Sequence, residues 1–136
     1  MSYSSSKIWI HLVFYTRLKA PLLVGKLKKD IKNGLEEFLS ENCDQPCAYH
    51  ILPEHIHLLI NLSDSLSARE ILKKIQSKIQ DSLKESKMEV NLDWEEEFHV
   101  HSVSATRLST EKSGIMRQEL IHQELSLEEE MKFLGM

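Results

Sequence analysis

The chain has 136 residues, 41% of them hydrophobic and 28% charged, with four glycines and three prolines. That composition suits a single globular domain and excludes collagen-like and low-complexity chains. The net charge of −4 hides an asymmetry, +3 over residues 1–88 against −7 over residues 89–136, so a nucleic-acid surface is expected in the first two thirds.

No apolar run approaches the roughly 20 residues of a membrane-spanning helix. The N-terminal apolar stretch is interrupted by His11 and lacks a small-residue cleavage site, and two cysteines, Cys43 and Cys47, cannot make a disulfide framework. A cytoplasmic protein with no membrane partner is the expectation.

Residues 7–16 alternate, with Ile8, Ile10, Leu12 and Phe14 on one face and Trp9, His11, Val13 and Tyr15 on the other. That period of two predicts a strand. Over 26–40, Leu27, Ile31, Leu35, Phe38 and Leu39 recur at helical spacing among lysines. Residues 47–52 and 55–61 read as two strands joined by a tight turn at Pro53-Glu54. Ser67 and Glu70 form a capping box that opens a helix with Ile71, Ile75, Ile79 and Leu83 as its apolar stripe.

Residues 98–104 alternate again as a fourth strand, Ser109 or Thr110 is placed to cap a helix over 111–124, and Ser126 with Glu129 opens a terminal helix over 127–134. The order β-α-β-β-α-β-α-α is that of the split βαβ, ferredoxin-like class. The expected fold is α+β, RRM-like, with a central antiparallel sheet, two helices on one face and a C-terminal helical extension. A single domain is expected over 1–136, with its α+β core at 1–104 and the extension at 105–136.

The sharpest chemical signal is His55-Ile56-His57. On a strand, residues i and i+2 point the same way, so both imidazoles leave one face while Ile56, Leu58 and Ile60 enter the core. Two imidazoles on a rigid strand suit a divalent metal whose third ligand comes from elsewhere. His99-Val100-His101 repeats the pattern, which keeps a four-histidine zinc site open beside the plainer reading of a partly buried strand edge. Cys43 and Cys47 lack the second ligand pair of a zinc ribbon and read as small core residues. There is no Gly-rich phosphate loop, Ser-His-Asp arrangement or dinucleotide fingerprint.

These residues resemble the small tyrosine transposases of insertion-sequence-200-like elements, including those associated with repetitive extragenic palindromes. They are HUH-type enzymes, named for two histidines around a bulky apolar residue. His11 through Arg17 is similar to the family's H-L-V-W-x-T-K/R. Pro53 through Ile60 is similar to its P-D/N-H-V-H-L-L-V, and Trp94 through Ser104 to its W-Q-x-G-F/Y-x-x-x-S-V-S. Ile115, Gln118, Glu119 and His122, followed by Ser126 and Glu128 to Glu130, follow the C-terminal motif without a gap.

The resemblance implies that His55, His57 and Gln118 hold Mg²⁺ or Mn²⁺. It implies a homodimer acting on single-stranded hairpin DNA in DNA transposition and recombination. A helix tyrosine would be the nucleophile, leaving a 5′-phosphotyrosine link and a free 3′-OH. The tyrosine's position, one turn before the glutamine, is Gly114, and no tyrosine follows Tyr49. Tyr3, Tyr15 and Tyr49 are the remaining phenols. The basic helix residues Lys73, Lys74 and Lys78 are the expected DNA contacts.

Three readings follow. The chain keeps fold, metal and hairpin binding without covalent catalysis; it nicks DNA with a replacement nucleophile or a metal-activated water; or it is a ferredoxin-like metal-binding or dimeric interaction module with no DNA role.

Overall fold

The computed structural model describes residues 8–42, 47–62, 67–88 and 90–116. Its elements run β1 (Ile8–Thr16), α1 (Gly25–Asn42), β2 (Ala48–Ile51), β3 (His55–Leu62), α2 (Ala68–Glu85), β4 (Trp94–Val103) and α3 (Leu108–Met116), with short 3-10 turns before α1 and α3. The four strands form one sheet in the order β2-β3-β1-β4, and every neighbouring pair is antiparallel. The α+β class and antiparallel sheet expected from the sequence are therefore what the chain builds.

The central strand β1 carries two sets of side chains. Ile10, Leu12 and Phe14 enter the main core with Ile56, Leu58 and Ile60 of β3, under the apolar stripes of α1 and α2. The opposite set would face solvent in an open two-layer sandwich. Instead α3 packs there, where Ile115 and Leu108 meet Ala48, Leu59, Val103 and Trp9. The sheet thus has helices on both sides, and His11 and Val13 are as buried as the core leucines. The expected C-terminal extension begins as this covering layer.

Local signals place several boundaries. Leu52 N–H donates to the His55 carbonyl at 2.8 Å, closing the turn at Pro53-Glu54. In the capping box, Glu70 N–H donates to Ser67 Oγ and Ser67 N–H to Glu70 Oε1, both at 3.2 Å, an arrangement that contributes about 1 kcal/mol.

Two boundaries differ from the sequence reading. β4 starts at Trp94 rather than 98, because its first residues pair with β1 across a bulge between Phe14 and Thr16. The Glu95–Glu97 run hides that pairing from an alternation pattern. α3 starts at Leu108, so Ser109 and Thr110 lie inside it rather than capping it; Ser104 stands before the 3-10 turn that leads in. The expected terminal helix over 127–134 lies outside the described residues.

Helices α1 and α2 approach closely at Gly34. A Cβ there would sit 3.1 Å from Ser82 Cβ, 3.2 Å from Ile79 Cα and 3.3 Å from the Lys78 carbonyl oxygen. Beside it, Ser82 Oγ donates to the Asp30 carbonyl at 3.0 Å and Ser86 Oγ to Asp30 Oδ2 at 2.9 Å. Two of the three obstacles are backbone atoms, which yield only by moving the helix. Gly34→Val is therefore expected to lower stability by about 1–2 kcal/mol, despite valine's better helix propensity. Denaturant midpoints against the exposed control Asn33→Val measure it; equal midpoints would refute the close-approach account.

Candidate metal centre

The face of the sheet beneath α3 is rich in histidine. Antiparallel register sets His57 opposite His50 on one side and Val13 on the other, with His99 beyond Val13. One step along, His55 lies opposite Tyr15, and His11 lies opposite His101. Cross-strand partners share a face, so His11, His50, His55, His57, His99 and His101 all emerge on the same side.

His55 and His57 are both wholly buried, with ring centroids 4.9 Å apart in an edge-to-face arrangement. This is the pair the sequence singled out, projecting from one face while Ile56 and Leu58 fill the other. Their Nδ1 atoms are engaged. His55 Nδ1 lies 3.1 Å from Glu54 Oε1, and His57 Nδ1 lies 2.8 Å from His11 Nε2. The chain of contacts continues from His11 Nδ1 to Glu111 Oε2 at 2.9 Å.

Chemistry sets the direction of this chain. An ionised carboxylate only accepts, so His11 Nδ1 carries the proton given to Glu111. In neutral His11 the Nε2 then accepts, and His57 Nδ1 donates to it. His55 donates to Glu54 in the same way. Each of the paired imidazoles thus presents its lone pair at Nε2, the form a metal ligand requires, with its orientation held by an outer carboxylate. The donor set fits a divalent cation.

Glu111 is held ionised against its surroundings. Burial alone would raise its pKa, but the hydrogen bond from His11 and the positive charge that His11 and His101, 3.4 Å away, carry when protonated bring it below the ordinary carboxylate value. Sequence reasoning missed both His11 and Glu111. His11 had a signal in its place on the second face of β1. Glu111 had none beyond its helical spacing from the buried Ile115.

The other expected residues are dispersed. Gln118 lies outside the described residues, as do Tyr3 and Cys43. Cys47 is half-buried against the main core, as its reading as a core residue expects. His99 is exposed, and His101 groups with His11 and Glu111.

Gly114 lies on α3, and a Cβ built on it meets no atom of the described residues within 4 Å. Tyr15 is on the histidine face, its ring centroid 6.2 Å from that of His55. Tyr49 is on the opposite side, donating its hydroxyl to Glu36 Oε1 of α1 at 2.7 Å. Burial first, then the hydrogen bond and charge of Glu36, push this phenol above its ordinary range.

Lys73, Lys74 and Lys78 are on α2, in the layer across the sheet from the histidines. The first two are exposed, and Lys78 Nζ bridges to Glu37 at 3.0 Å and Glu41 at 3.2 Å of α1. No helix among the described residues is long and apolar enough to cross a membrane.

Residues 4–118 match the family model described as "Transposase IS200 like". Among solved structures, a protein named as a transposase from Deinococcus radiodurans R1 is 17% identical, with a TM-score of 0.60 over 87% of this chain and 98% of its own. A REP-associated tyrosine transposase bound to a REP hairpin is 15% identical, with a TM-score of 0.60 over 90% of this chain and 72% of its own. Both share the fold at that level of identity. No curated protein matches the sequence.

The lowered pKa of Glu111 has a signed consequence. Its contribution to stability is complete above the unfolded carboxylate value, about 4.3, and is lost as pH falls through the lower folded value. In chelator, the stability gap between the native chain and Glu111→Gln is expected to shrink across that acid interval. Thermal melts at stepped pH test it, and a gap that stays constant there would refute the assignment.

Proposed function

The chain belongs to the IS200-like transposase family, and from that premise we propose that it binds single-stranded hairpin DNA and a divalent metal but lacks the covalent chemistry of strand transfer. What supports this reading is the buried His55–His57 pair on the face that α3 covers, together with the glycine of α3 at position 114, where the family resemblance expects the nucleophile. Gln118 is the proposed third ligand, and Mg²⁺ or Mn²⁺ the proposed ion. Bound there, the ion would supply Lewis acidity toward a phosphodiester oxygen.

The chain's own residues do the rest. Glu54 orients His55, while Glu111, through His11, orients His57. Gly114 offers no hydroxyl, so a phosphotyrosine link from that position is chemically impossible. What remains of the family's DNA transposition is recognition and metal binding.

The hairpin as partner is supported by the REP-associated relative, whose structure holds one. Lys73 and Lys74 are the proposed phosphate contacts, a sequence-independent and salt-dependent contribution. The Lys78 ammonium is already shared with Glu37 and Glu41, which makes it the weakest of the three. Homodimerisation belongs to the same reading: β4 is an edge strand ten residues long, and an open backbone edge is where a second sheet adds. So does the division into a core over 1–104 and an extension over 105–136, whose first helix carries the nucleophile position.

One observation favours a second reading, an active nickase. Tyr15 lies beside His55, and Lys19 Nζ is 6.0 Å from its ring centroid. A phenol next to the metal pair and a cation is a replacement nucleophile on the correct face.

A single experiment separates these. Labelled single-stranded hairpins from the DNA flanking the gene are incubated with the chain and Mn²⁺, then run on native and denaturing gels. The native chain is expected to retard the hairpin, less so at higher salt, and to form no covalent adduct; Gly114→Tyr is expected to form one. An adduct with the native chain that disappears in Tyr15→Phe would establish the second reading. Absence of salt-dependent hairpin binding would sink the DNA reading altogether.

A further inference from the structure

Three ligating side chains from three separate elements converge beside the His55–His57 pair. His11 comes from the middle of β1, His101 from β4 directly opposite in register, and Glu111 from the first turn of α3. Glu111 Oε2 lies 2.9 Å from His11 Nδ1 and 3.4 Å from His101 Nε2. All three ligand atoms lie within 4.8 Å of one another. We propose that His11, His101 and Glu111 form a second metal site, for a zinc-class divalent transition-metal ion, distinct from the one assigned to His55, His57 and Gln118.

The spacing supports a single cation. Bonds of roughly 2.0–2.2 Å at tetrahedral angles set ligand atoms about 3.3–3.6 Å apart. The 3.4 Å separation lies in that range, the 2.9 Å hydrogen bond would have to lengthen to admit the ion, and the His11–His101 separation is at most 4.8 Å, to be closed by turning His101. His101 is the member with room to turn, its side chain 27% exposed against 1% for His11 and 12% for Glu111. Without a cation its Nε2 turns an N–H toward Glu111; its Nδ1 has no hydrogen-bond partner among the described residues, so a cation at Nε2 would shift the ring proton to Nδ1.

The chemistry selects the metal. Two imidazoles and one carboxylate suit zinc, cobalt or nickel better than magnesium, which prefers oxygen donors and keeps its waters.

Occupancy would reach the first site, a consequence that rests on His55 and His57 being a metal pair. A cation on His11 Nδ1 moves that ring's proton to Nε2. The 2.8 Å hydrogen bond to His57 then reverses: His11 donates, His57 Nδ1 accepts, and the proton of neutral His57 moves to Nε2. An imidazole protonated at Nε2 cannot ligate through that atom. The two sites are therefore antagonistic, coupled through one hydrogen bond.

The test is a Co²⁺ titration of the full-length, chelator-stripped chain followed by visible absorption. One equivalent is expected to give intense low-symmetry d–d bands without a thiolate charge-transfer band. His101→Phe and Glu111→Gln should each weaken binding roughly tenfold or more, while His55→Ala should retain it. Melting in chelator confirms that each variant is folded. Bands that survive both His101→Phe and Glu111→Gln, or that vanish in His55→Ala, would overturn the site.

Mn²⁺ binding followed by electron paramagnetic resonance tests the coupling. One equivalent of Zn²⁺ should suppress it in the native chain and leave it unchanged in His101→Phe. Equal suppression in both would overturn the antagonism. Failure of the zinc-free chain to bind Mn²⁺ at all would instead overturn the His55–His57 reading and leave the cobalt result standing.

Discussion

The hydrogen bond between His11 Nε2 and His57 Nδ1, 2.8 Å long and wholly buried, is the constraint on which the rest of this structure turns. It joins the two central strands through their side chains. Through His11 Nδ1 it reaches Glu111 and so ties α3 to the sheet. A buried polar group without a partner costs on the order of 1–3 kcal/mol, so packing a helix over this face requires that its imidazoles be paired. Glu111 is the residue by which α3 meets that requirement.

The same chain of contacts makes protonation directional. Because Glu111 accepts, the tautomers of His11 and then His57 follow in order, and a lone pair is delivered to His57 Nε2. His55 reaches the equivalent state independently through Glu54. Ligand geometry on the histidine face is thus set by groups one shell removed from any ion. The covering helix that closes this face also carries Gly114. The packing of α3 and the orientation of His57 both run through Glu111.

The opposite layer is built on different physics. There α1 and α2 bring apolar stripes onto Ile10, Leu12, Phe14, Ile56 and Leu58, and Gly34 sets how near the two helices come. That layer is hydrophobic burial with one buried acidic side chain, Asp30, satisfied by Ser86. The sheet therefore separates a core that supplies stability from a polar face that supplies chemistry.

Much of this is legible in the sequence, where a residue's role depends on its near neighbours along the chain. Alternation marks β1 and β3, helical spacing marks α1 and α2, Ser67 and Glu70 mark a helix start, and Pro53-Glu54 marks a turn. His55 and His57 are legible as a pair sharing one face because strand geometry alone puts i and i+2 on one side. What only the tertiary structure decides is which distant groups meet. The register of β1 against β4 brings His11 to His101, and the packing of α3 brings Glu111 to both, a hundred residues from His11 along the chain. No local pattern encodes such a contact, because it exists only when separate elements are buried against one another and their polar atoms must be satisfied together.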